Sequence, residues 1–153
     1  MNDDQISGMV NITDKPPVLR VATATGLIRL KGSTIEAIRS GQIKKGDALT
    51  TARIAAILAV KDTPRIIPMC HPITVTGIDV DFLIEHELVK TTVTVTSVGK
   101  TGVEMEALTG VAAALLNIWD MVKYLEKDET GNYLETEIKE IKVLEKRKGP
   151  EGY

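Results

Sequence analysis

Residues 99–127 read GKTGVEMEALTGVAAALLNIWDMVKYLEK, and this stretch decides how the rest of the chain is interpreted. A glycine-rich turn precedes a long run dominated by apolar residues, which predicts a helix packed into the core. Glu104, Glu106, Asp120 and Lys123 nevertheless lie within that run. Charged side chains are rarely buried without partners, so these four residues require a structural or functional explanation.

Asp120 and Lys123 are one helical turn apart and share a helix face. Taken alone, this spacing is most often an exposed ion pair of little energetic value, and a proton-transfer couple is the alternative. Glu106 and Asp120 lie about 21 Å apart along an unbroken helix, too far for one small substrate. Either Gly110 breaks the helix, or a site that uses all four residues combines two protomers. We favour the second interpretation, which predicts an oligomer.

The turn at residues 99–102, GKTG, resembles a fragment of a phosphate-binding P-loop. A P-loop also needs a glycine at the position of Thr94, which lies in a strand-like run, so we exclude this motif. Backbone amides at a glycine-rich helix start attract anions. Lys100 therefore stays a candidate phosphate ligand.

The length of 153 residues fits one domain with a sizeable core. A net charge of -2 argues against broad electrostatic attraction to nucleic acid, and 3% aromatic residues offer no platform for stacking bases. An anionic ligand would have to be bound by a local group of cationic side chains.

The single cysteine excludes an internal disulfide, and with only two histidines the chain has too few ligands for a typical structural zinc site. Residues 1–10 have neither the basic region nor the apolar stretch of a signal peptide, and we expect no other run to approach a membrane span. These features predict a cytoplasmic protein that binds neither membranes nor nucleic acid.

The first part of the chain predicts an arm followed by a strand. Residues 1–17 are polar and end in two prolines, which favours an extended arm. Residues 18–30 are typical of a strand in which Gly26 forms a bend or bulge. Arg20 lies in this strand, and a solvent-facing position and a functional one are equally compatible with the pattern.

Two helices are predicted next. Ser33 and Glu36 match a capping box, so a short helix should begin there and stop at Gly41. Asp47 can cap a second helix that runs from residue 48 to about residue 61. Lys45 lies in the loop before that cap, where a lysine is most often simply solvated.

The segment at residues 64–72, PRIIPMCHP, presents a thiol and an imidazole between two prolines that restrict the backbone. If the segment is extended, Cys70 and His71 point to opposite faces and do not form a catalytic couple. Cys70 is then a small buried residue. His71 is the better candidate for acid, base or phosphate contact, and a structural histidine is the alternative.

The remaining strands complete the predicted fold. Residues 73–85 and 88–98 alternate in hydrophobicity and form a hairpin, and residues 133–144 form the final strand. With the short helix set aside, the order is strand, helix, strand, strand, helix, strand. This order predicts an α+β, ferredoxin-like split βαβ fold, an antiparallel sheet with helices on one face. The predicted domain spans residues 18–148, with a tail at residues 149–153.

Five stretches of the chain resemble the cyclic pyranopterin monophosphate synthase family of molybdenum-cofactor biosynthesis. They are MVNITDK at 9–15, KKGDALTTARIAAILAVKDT at 44–63, IPMCHPI at 67–73, GKTGVEMEALTGVAAALLNIWDMVK at 99–123, and the lysine-bearing end of the last strand. These stretches cover nearly the whole chain in the right order, and the GKTGVEMEALT and CHP motifs are rare.

The resemblance implies a homohexamer, a trimer of dimers, with ferredoxin-like protomers and active sites at the dimer interface. It implies a lyase that converts (8S)-3′,8-cyclo-7,8-dihydroguanosine 5′-triphosphate to cyclic pyranopterin monophosphate and pyrophosphate. By position, the family's catalytic residues are Lys45, Asp120 and Lys123. The resemblance also implies a set of substrate-binding residues: Arg20, Cys70, His71, Glu104, Met105, Glu106 and Lys146.

These residue types suit that chemistry. Rebuilding the ring system requires several proton transfers, which an acid and base set such as Asp120, Lys123 and Glu106 could perform. Cationic side chains could hold the triphosphate and stabilise the departing pyrophosphate. The sequence requires no cofactor and indicates no metal site, although magnesium could assist the leaving group. The alternative is a non-enzymatic ferredoxin-like module that binds a small ligand or a partner.

Overall fold

The computed structural model describes residues 8–149. Its elements in chain order are β1 (Val18–Arg29), α1 (Gly32–Arg39), α2 (Ala48–Ile66), β2 (Val75–Ile84), β3 (Leu88–Gly99), α3 (Glu104–Glu126) and β4 (Glu137–Lys148). The four strands form one antiparallel sheet in the order β2-β3-β1-β4, and α2 and α3 pack on one of its faces. The predicted α+β, ferredoxin-like fold is confirmed.

The two ends of the chain lie partly outside this description. Residues 8–17 of the predicted arm contain no helix or strand, whereas residues 1–7 are outside the described residues. Most of the predicted tail, residues 150–153, is outside them as well. The proposed division into arm, domain and tail therefore stays a prediction.

Gly26 lets the central strand β1 approach α3 closely. A Cβ atom placed on this residue would lie 2.8 Å from Val111 Cγ1 and 3.0 Å from Leu115 Cδ1, both side chains of α3. The register between β1 and β4 also shifts between Thr25 and Leu27, so the predicted bulge is confirmed. The missing side chain thus allows the sheet and the long helix to share one tightly packed core.

Helix α3 continues without a break through Gly110. A Cβ atom there would lie 2.9 Å from Val60 Cγ2 of α2, so this glycine is a point of close helix packing. The alternative in which the helix breaks at Gly110 is wrong. Glu106 and Asp120 are consequently held about 21 Å apart by a continuous helix.

Helix α1 begins differently from the prediction. Its N-cap is Lys31, with no capping bond from its own side chain, so the capping box at Ser33 is wrong. The Glu126 carboxylate at the end of α3 instead accepts hydrogen bonds from the Lys31 backbone N–H and the Thr34 hydroxyl. Glu126 is buried and also accepts from Thr136, 2.8 Å away. One buried carboxylate therefore joins α1, α3 and the segment before β4.

Helix α2 is longer than predicted. Its cap is confirmed, since the Asp47 side chain accepts a hydrogen bond from the Thr50 N–H at 3.0 Å. The helix then runs past residue 61 and through Pro64, because the Ile67 N–H still reaches the Thr63 carbonyl at 2.9 Å. A turn closed by the Cys70 N–H and the Ile67 carbonyl follows, so the extended form considered for residues 64–72 is wrong.

The last strand starts later than predicted, at Glu137 rather than at residue 133, and ends at Lys148. The ring of Tyr133 packs edge to face against Trp119 of α3, with a centroid separation of 5.1 Å. The contact with Trp119 places Tyr133 outside the strand, although the β-propensity of tyrosine favoured a strand at this position.

Helix α3 also corrects the expectation about membrane spans. By length and composition it is apolar enough to cross a membrane, with a mean hydropathy of 1.3 over its most apolar window. Half of that window is buried inside the protein, as in the core helix of a soluble protein. The finding is weak evidence for a membrane span.

We expect Gly26→Ala to lower the free energy of unfolding by about 1–3 kcal/mol, because its Cβ would overlap packed core side chains. The matched control is Gly77→Ala in β2, whose Cβ would meet only Thr96 at 3.6 Å, an ordinary contact. Urea unfolding of both variants at one protein concentration measures the difference. Equal stability of the two variants would contradict the close approach of α3 to β1.

Candidate active site

The three residues with catalytic roles in the resemblance form one group, which we call the carboxy-terminal cluster: Lys45, Asp120 and Lys123. The Lys123 ammonium lies 3.1 Å from Asp120 Oδ1, and the Lys45 ammonium lies 3.1 Å from Asp120 Oδ2. Lys45 also donates to the Asp120 backbone carbonyl at 3.2 Å. The predicted pair of Asp120 and Lys123 is thus present, and a loop lysine joins it.

Hydrogen bonds from Lys45, and then from Lys123, lower the pKa of the Asp120 carboxyl below its ordinary value. Asp120 is therefore a carboxylate at neutral pH, with a lysine on each oxygen. Its side chain is 58% exposed, so these ion pairs contribute little to stability. The cluster is an accessible array of proton donors and acceptors.

Tyr124 positions Lys45, although the sequence analysis did not identify it. Its hydroxyl oxygen accepts a hydrogen bond from the Lys44 backbone N–H at 2.9 Å, and the Lys44 ammonium lies 5.3 Å from its ring centroid. These contacts hold the loop against α3, one turn beyond Asp120. Sequence spacing carries no signal for them, because they join a loop backbone to a distant helix.

A second group, the amino-terminal cluster, surrounds the start of α3 and consists of Arg20, Cys70, His71, Glu104, Glu106 and Lys146. Lys146 of β4 lies 3.3 Å from Glu104. Arg20 is buried on the helix-facing side of β1, two residues from Ala22, which pairs with Lys146 across the sheet. The solvent-facing alternative for Arg20 is therefore wrong.

Glu106 is the buried member of this cluster, and the half-buried Cys70 lies against it. Glu106 is only 1% exposed, and burial raises the pKa of its carboxyl. The Cys70 thiol donates to Glu106 Oε2 at 3.7 Å, and burial together with the charge of Glu106 raises the pKa of that thiol. Cys70 is thus a hydrogen-bond donor at neutral pH rather than a thiolate nucleophile.

Three buried polar atoms of the amino-terminal cluster have no hydrogen-bond partner within residues 8–149: Arg20 Nε, Glu104 Oε2 and Glu106 Oε1. Leaving a buried polar group unpaired costs about 1–3 kcal/mol. Such atoms in one group are typical of a site that pairs with polar groups of a ligand.

His71 lies at the edge of this cluster, beside the arm. Its Nε2 atom is 2.5 Å from the Val10 carbonyl oxygen, and Lys100 donates to the Thr13 carbonyl at 3.0 Å. The arm, His71 and Lys100 line a cavity of about 420 Å³. Met105 is partly exposed on α3.

One protomer does not bring the two clusters together, because α3 separates them by about 21 Å between Glu106 and Asp120. The exposed stripe of α3 between the clusters is apolar or small, with Ala112 and Leu116 at helical spacing. The clusters therefore lie at opposite ends of one accessible helix face.

Comparison with known proteins decides the family. Residues 9–149 match the model of the MoaC family. This chain belongs to the MoaC family.

Several relatives carry the name "Probable cyclic pyranopterin monophosphate synthase". One from Methanosarcina mazei is 60% identical over 141 residues, which cover 92% of this chain and 90% of the relative. One from Archaeoglobus fulgidus is 57% identical, with 92% and 90% covered. One from Aeropyrum pernix is 54% identical, with 94% and 98% covered. The MoaC match includes both clusters and the arm from Met9 onward.

We expect Tyr124→Phe and Lys45→Met to raise the pKa of Asp120 toward its ordinary value, with the larger rise in Lys45→Met. Lys45→Met removes the main hydrogen bond that lowers this pKa, whereas Tyr124→Phe only frees the loop that carries it. Carboxyl ¹³C shifts of labelled aspartate, followed across pH, give the pKa. Lys90→Met on β3 is the control, and a pKa of Asp120 that stays at its native value in Lys45→Met would refute this geometry.

We expect Glu106→Gln to be more stable than the native protein at neutral pH. A raised pKa means that folded Glu106 holds its proton more tightly than the unfolded chain does, so native stability falls as pH rises above the ordinary value of 4.5. Glutamine does not ionise, so the advantage of the variant should shrink as pH falls toward that value. Thermal unfolding of both proteins between pH 4 and about pH 8 measures this; parallel curves would contradict it.

Proposed function

We propose that this chain is a cyclic pyranopterin monophosphate synthase. It converts (8S)-3′,8-cyclo-7,8-dihydroguanosine 5′-triphosphate to cyclic pyranopterin monophosphate and pyrophosphate, a phosphorus–oxygen lyase reaction of molybdenum-cofactor biosynthesis. The observation that carries the proposal is the carboxylate of Asp120 held between two lysines, in a chain that belongs to the MoaC family.

The carboxy-terminal cluster performs the proton transfers. Asp120 stays ionised and accepts a hydrogen bond from each ammonium group, so it orients both lysines. A lysine beside the reacting ring donates a proton to one atom and removes one from another as the purine five-membered ring opens and the pterin closes. Lys45 and Lys123 lie on opposite oxygens of Asp120, which lets them act on two positions of one substrate.

The amino-terminal cluster binds the substrate. The unpaired oxygens of Glu104 and Glu106 accept hydrogen bonds from N–H groups of the guanine-derived ring, and the Arg20 Nε–H donates to an oxygen. A ligand that makes these contacts removes the cost of three unpaired buried atoms. Lys146 and His71 then face the phosphate end, where positive charge and N–H donors stabilise the departing pyrophosphate.

A two-fold axis near residue 113 of α3 would complete the site. In antiparallel pairing about that point, Glu106 of one protomer faces Asp120 of the partner subunit, because both lie seven residues from the axis. Small side chains such as Ala112 allow close helix approach, and Leu116 is 60% exposed beside them. Ile54 and Leu58 of α2, which packs beside α3 on the sheet, add exposed apolar surface to the helical layer. We infer a dimer across this face, and a hexamer formed by three such dimers in the cytoplasm.

We also propose that a magnesium ion can assist the departure of pyrophosphate, as the sequence analysis suggested. Within residues 8–149, no group of three His, Cys, Asp or Glu side chains is placed to hold a metal ion. A magnesium ion would therefore have to enter on the substrate phosphates, a common arrangement for this ion.

The alternative, a ferredoxin-like module that only binds a ligand, is not favoured. Binding alone does not call for a carboxylate that organises two lysines on an exposed helix face. It also offers no reason for the unpaired buried carboxylate oxygens at the other end of that helix.

We expect Asp120→Asn and Glu106→Gln each to lower pyrophosphate release from the cyclic substrate by at least about 100-fold, because the first no longer orients the two acid–base lysines and the second no longer holds the reacting ring against them. Asp81→Asn, on the face of the sheet away from the helices, is the control and should keep native activity. Native mass spectrometry before each assay checks that the oligomer persists. A native protein that releases no pyrophosphate would overturn the proposed reaction.

Mixing the two inactive variants tests the shared site. In a mixed dimer, one of the two sites combines both substitutions and the other site combines two native clusters. Random assembly of equal amounts should therefore restore about a quarter of the native activity if clusters of two protomers form each site. No recovery after co-assembly would place each site within a single protomer and refute the two-fold arrangement.

A further inference from the structure

We propose that Lys100 and His71 form a polyphosphate-binding site beneath the arm, and that two arm carbonyls take the place of phosphate oxygens in this structure. The identity of the anion, the triphosphate of the substrate or the released pyrophosphate, rests on the proposed function. The donors and their partners are structural facts that do not depend on it.

The geometry provides two converging donors. The Lys100 ammonium donates to the Thr13 carbonyl at 3.0 Å, and His71 Nε2 lies 2.5 Å from the Val10 carbonyl oxygen. A carbonyl oxygen can only accept, so this histidine nitrogen carries a hydrogen. Both donors line the same cavity of about 420 Å³, whose other walls are residues 9–13 of the arm. The cavity is large enough for a polyphosphate to replace the two carbonyl oxygens.

Charge pairing distinguishes Lys100 from the other lysines near the two clusters. Lys45 and Lys123 share Asp120, and Lys146 pairs with Glu104. Within residues 8–149, Lys100 forms no salt bridge, and its bonded partner is a neutral backbone carbonyl. An ionised phosphate oxygen carries a negative charge that the Thr13 carbonyl lacks, so the ammonium gains a charge–charge attraction when phosphate replaces the carbonyl. The charge of Lys100 is thus available to an anion that displaces Thr13.

The arm is attached weakly enough to be displaced. Met9 and Val10 are 50% and 68% exposed, so the arm buries little apolar surface. Other hydrogen bonds of the arm are internal, such as the Thr13 N–H to the Asn11 side chain and the Lys15 N–H to the Ile12 carbonyl. These internal bonds can persist while the arm moves as a unit. For the part of the arm that the structure describes, residues 8–17, displacement then breaks the hydrogen bonds to Lys100 and His71, which the anion replaces.

Isothermal titration of inorganic pyrophosphate into the full chain tests this site. Lys100→Gln should raise the dissociation constant for pyrophosphate by about tenfold or more, the effect expected for losing one charge-assisted hydrogen bond. Lys100→Arg should keep most of the affinity, because the positive donor is retained. The matched control Lys90→Gln makes the same charge change near the opposite end of β3 and should bind as the native protein does. Equal affinity of Lys100→Gln and Lys90→Gln would overturn the proposal.

Backbone carbonyl ¹³C chemical shifts of the arm test the displacement. Pyrophosphate should change the shifts of Val10 and Thr13, whose carbonyls it releases, in the native protein and leave them unchanged in Lys100→Gln. Unchanged Val10 and Thr13 shifts in the native protein at saturating pyrophosphate would refute displacement by the anion.

The two proposals fail in different ways. Pyrophosphate binding that depends on Lys100, in a protein that does not turn over the cyclic substrate, would support this site and reject the proposed reaction. Turnover of the cyclic substrate with pyrophosphate binding that does not depend on Lys100 would support the proposed reaction and reject this site.

Discussion

The close packing of α3 against β1 and α2 is the constraint on which the rest of the structure depends. Gly26 and Gly110 lack the side chains that would separate these elements, and the helix therefore crosses the core in one unbroken run. A continuous, buried helix is a rigid spacer of known length. It holds Glu106 and Asp120 about 21 Å apart along the helix, and this separation is the reason why we propose a site shared between protomers.

The three carboxyl groups Glu106, Asp120 and Glu126 of α3 lie in different surroundings and have different roles. Asp120 is exposed and keeps its charge because two lysines donate to it, whereas Glu106 is buried and its pKa is raised because water is excluded. The pKa values of two carboxyl groups of one helix therefore shift in opposite directions, for physical reasons that lie in their surroundings. Glu126, a third carboxylate of α3, accepts three sets of hydrogen bonds and serves the fold.

Sequence reasoning succeeded where the signal is local. Hydrophobic periodicity predicted the strands, α3 and the ferredoxin-like order, and the cap at Asp47 was confirmed. It failed at α1, where a carboxylate from the far end of another helix supplies the cap in place of the local Ser33 motif. It also failed at the CHP segment, because α2 continues through Pro64 and changes the backbone that carries the thiol and imidazole.

By itself, the sequence determined the fold class, the long core helix and the spacing of Asp120 and Lys123, because period and helical rise depend only on neighbouring residues. Only the tertiary structure decided that Lys45 reaches Asp120, 75 positions away, and that Lys100 reaches Thr13, 87 positions away. Such contacts depend on sheet register and loop path, which bring together residues that no local pattern connects.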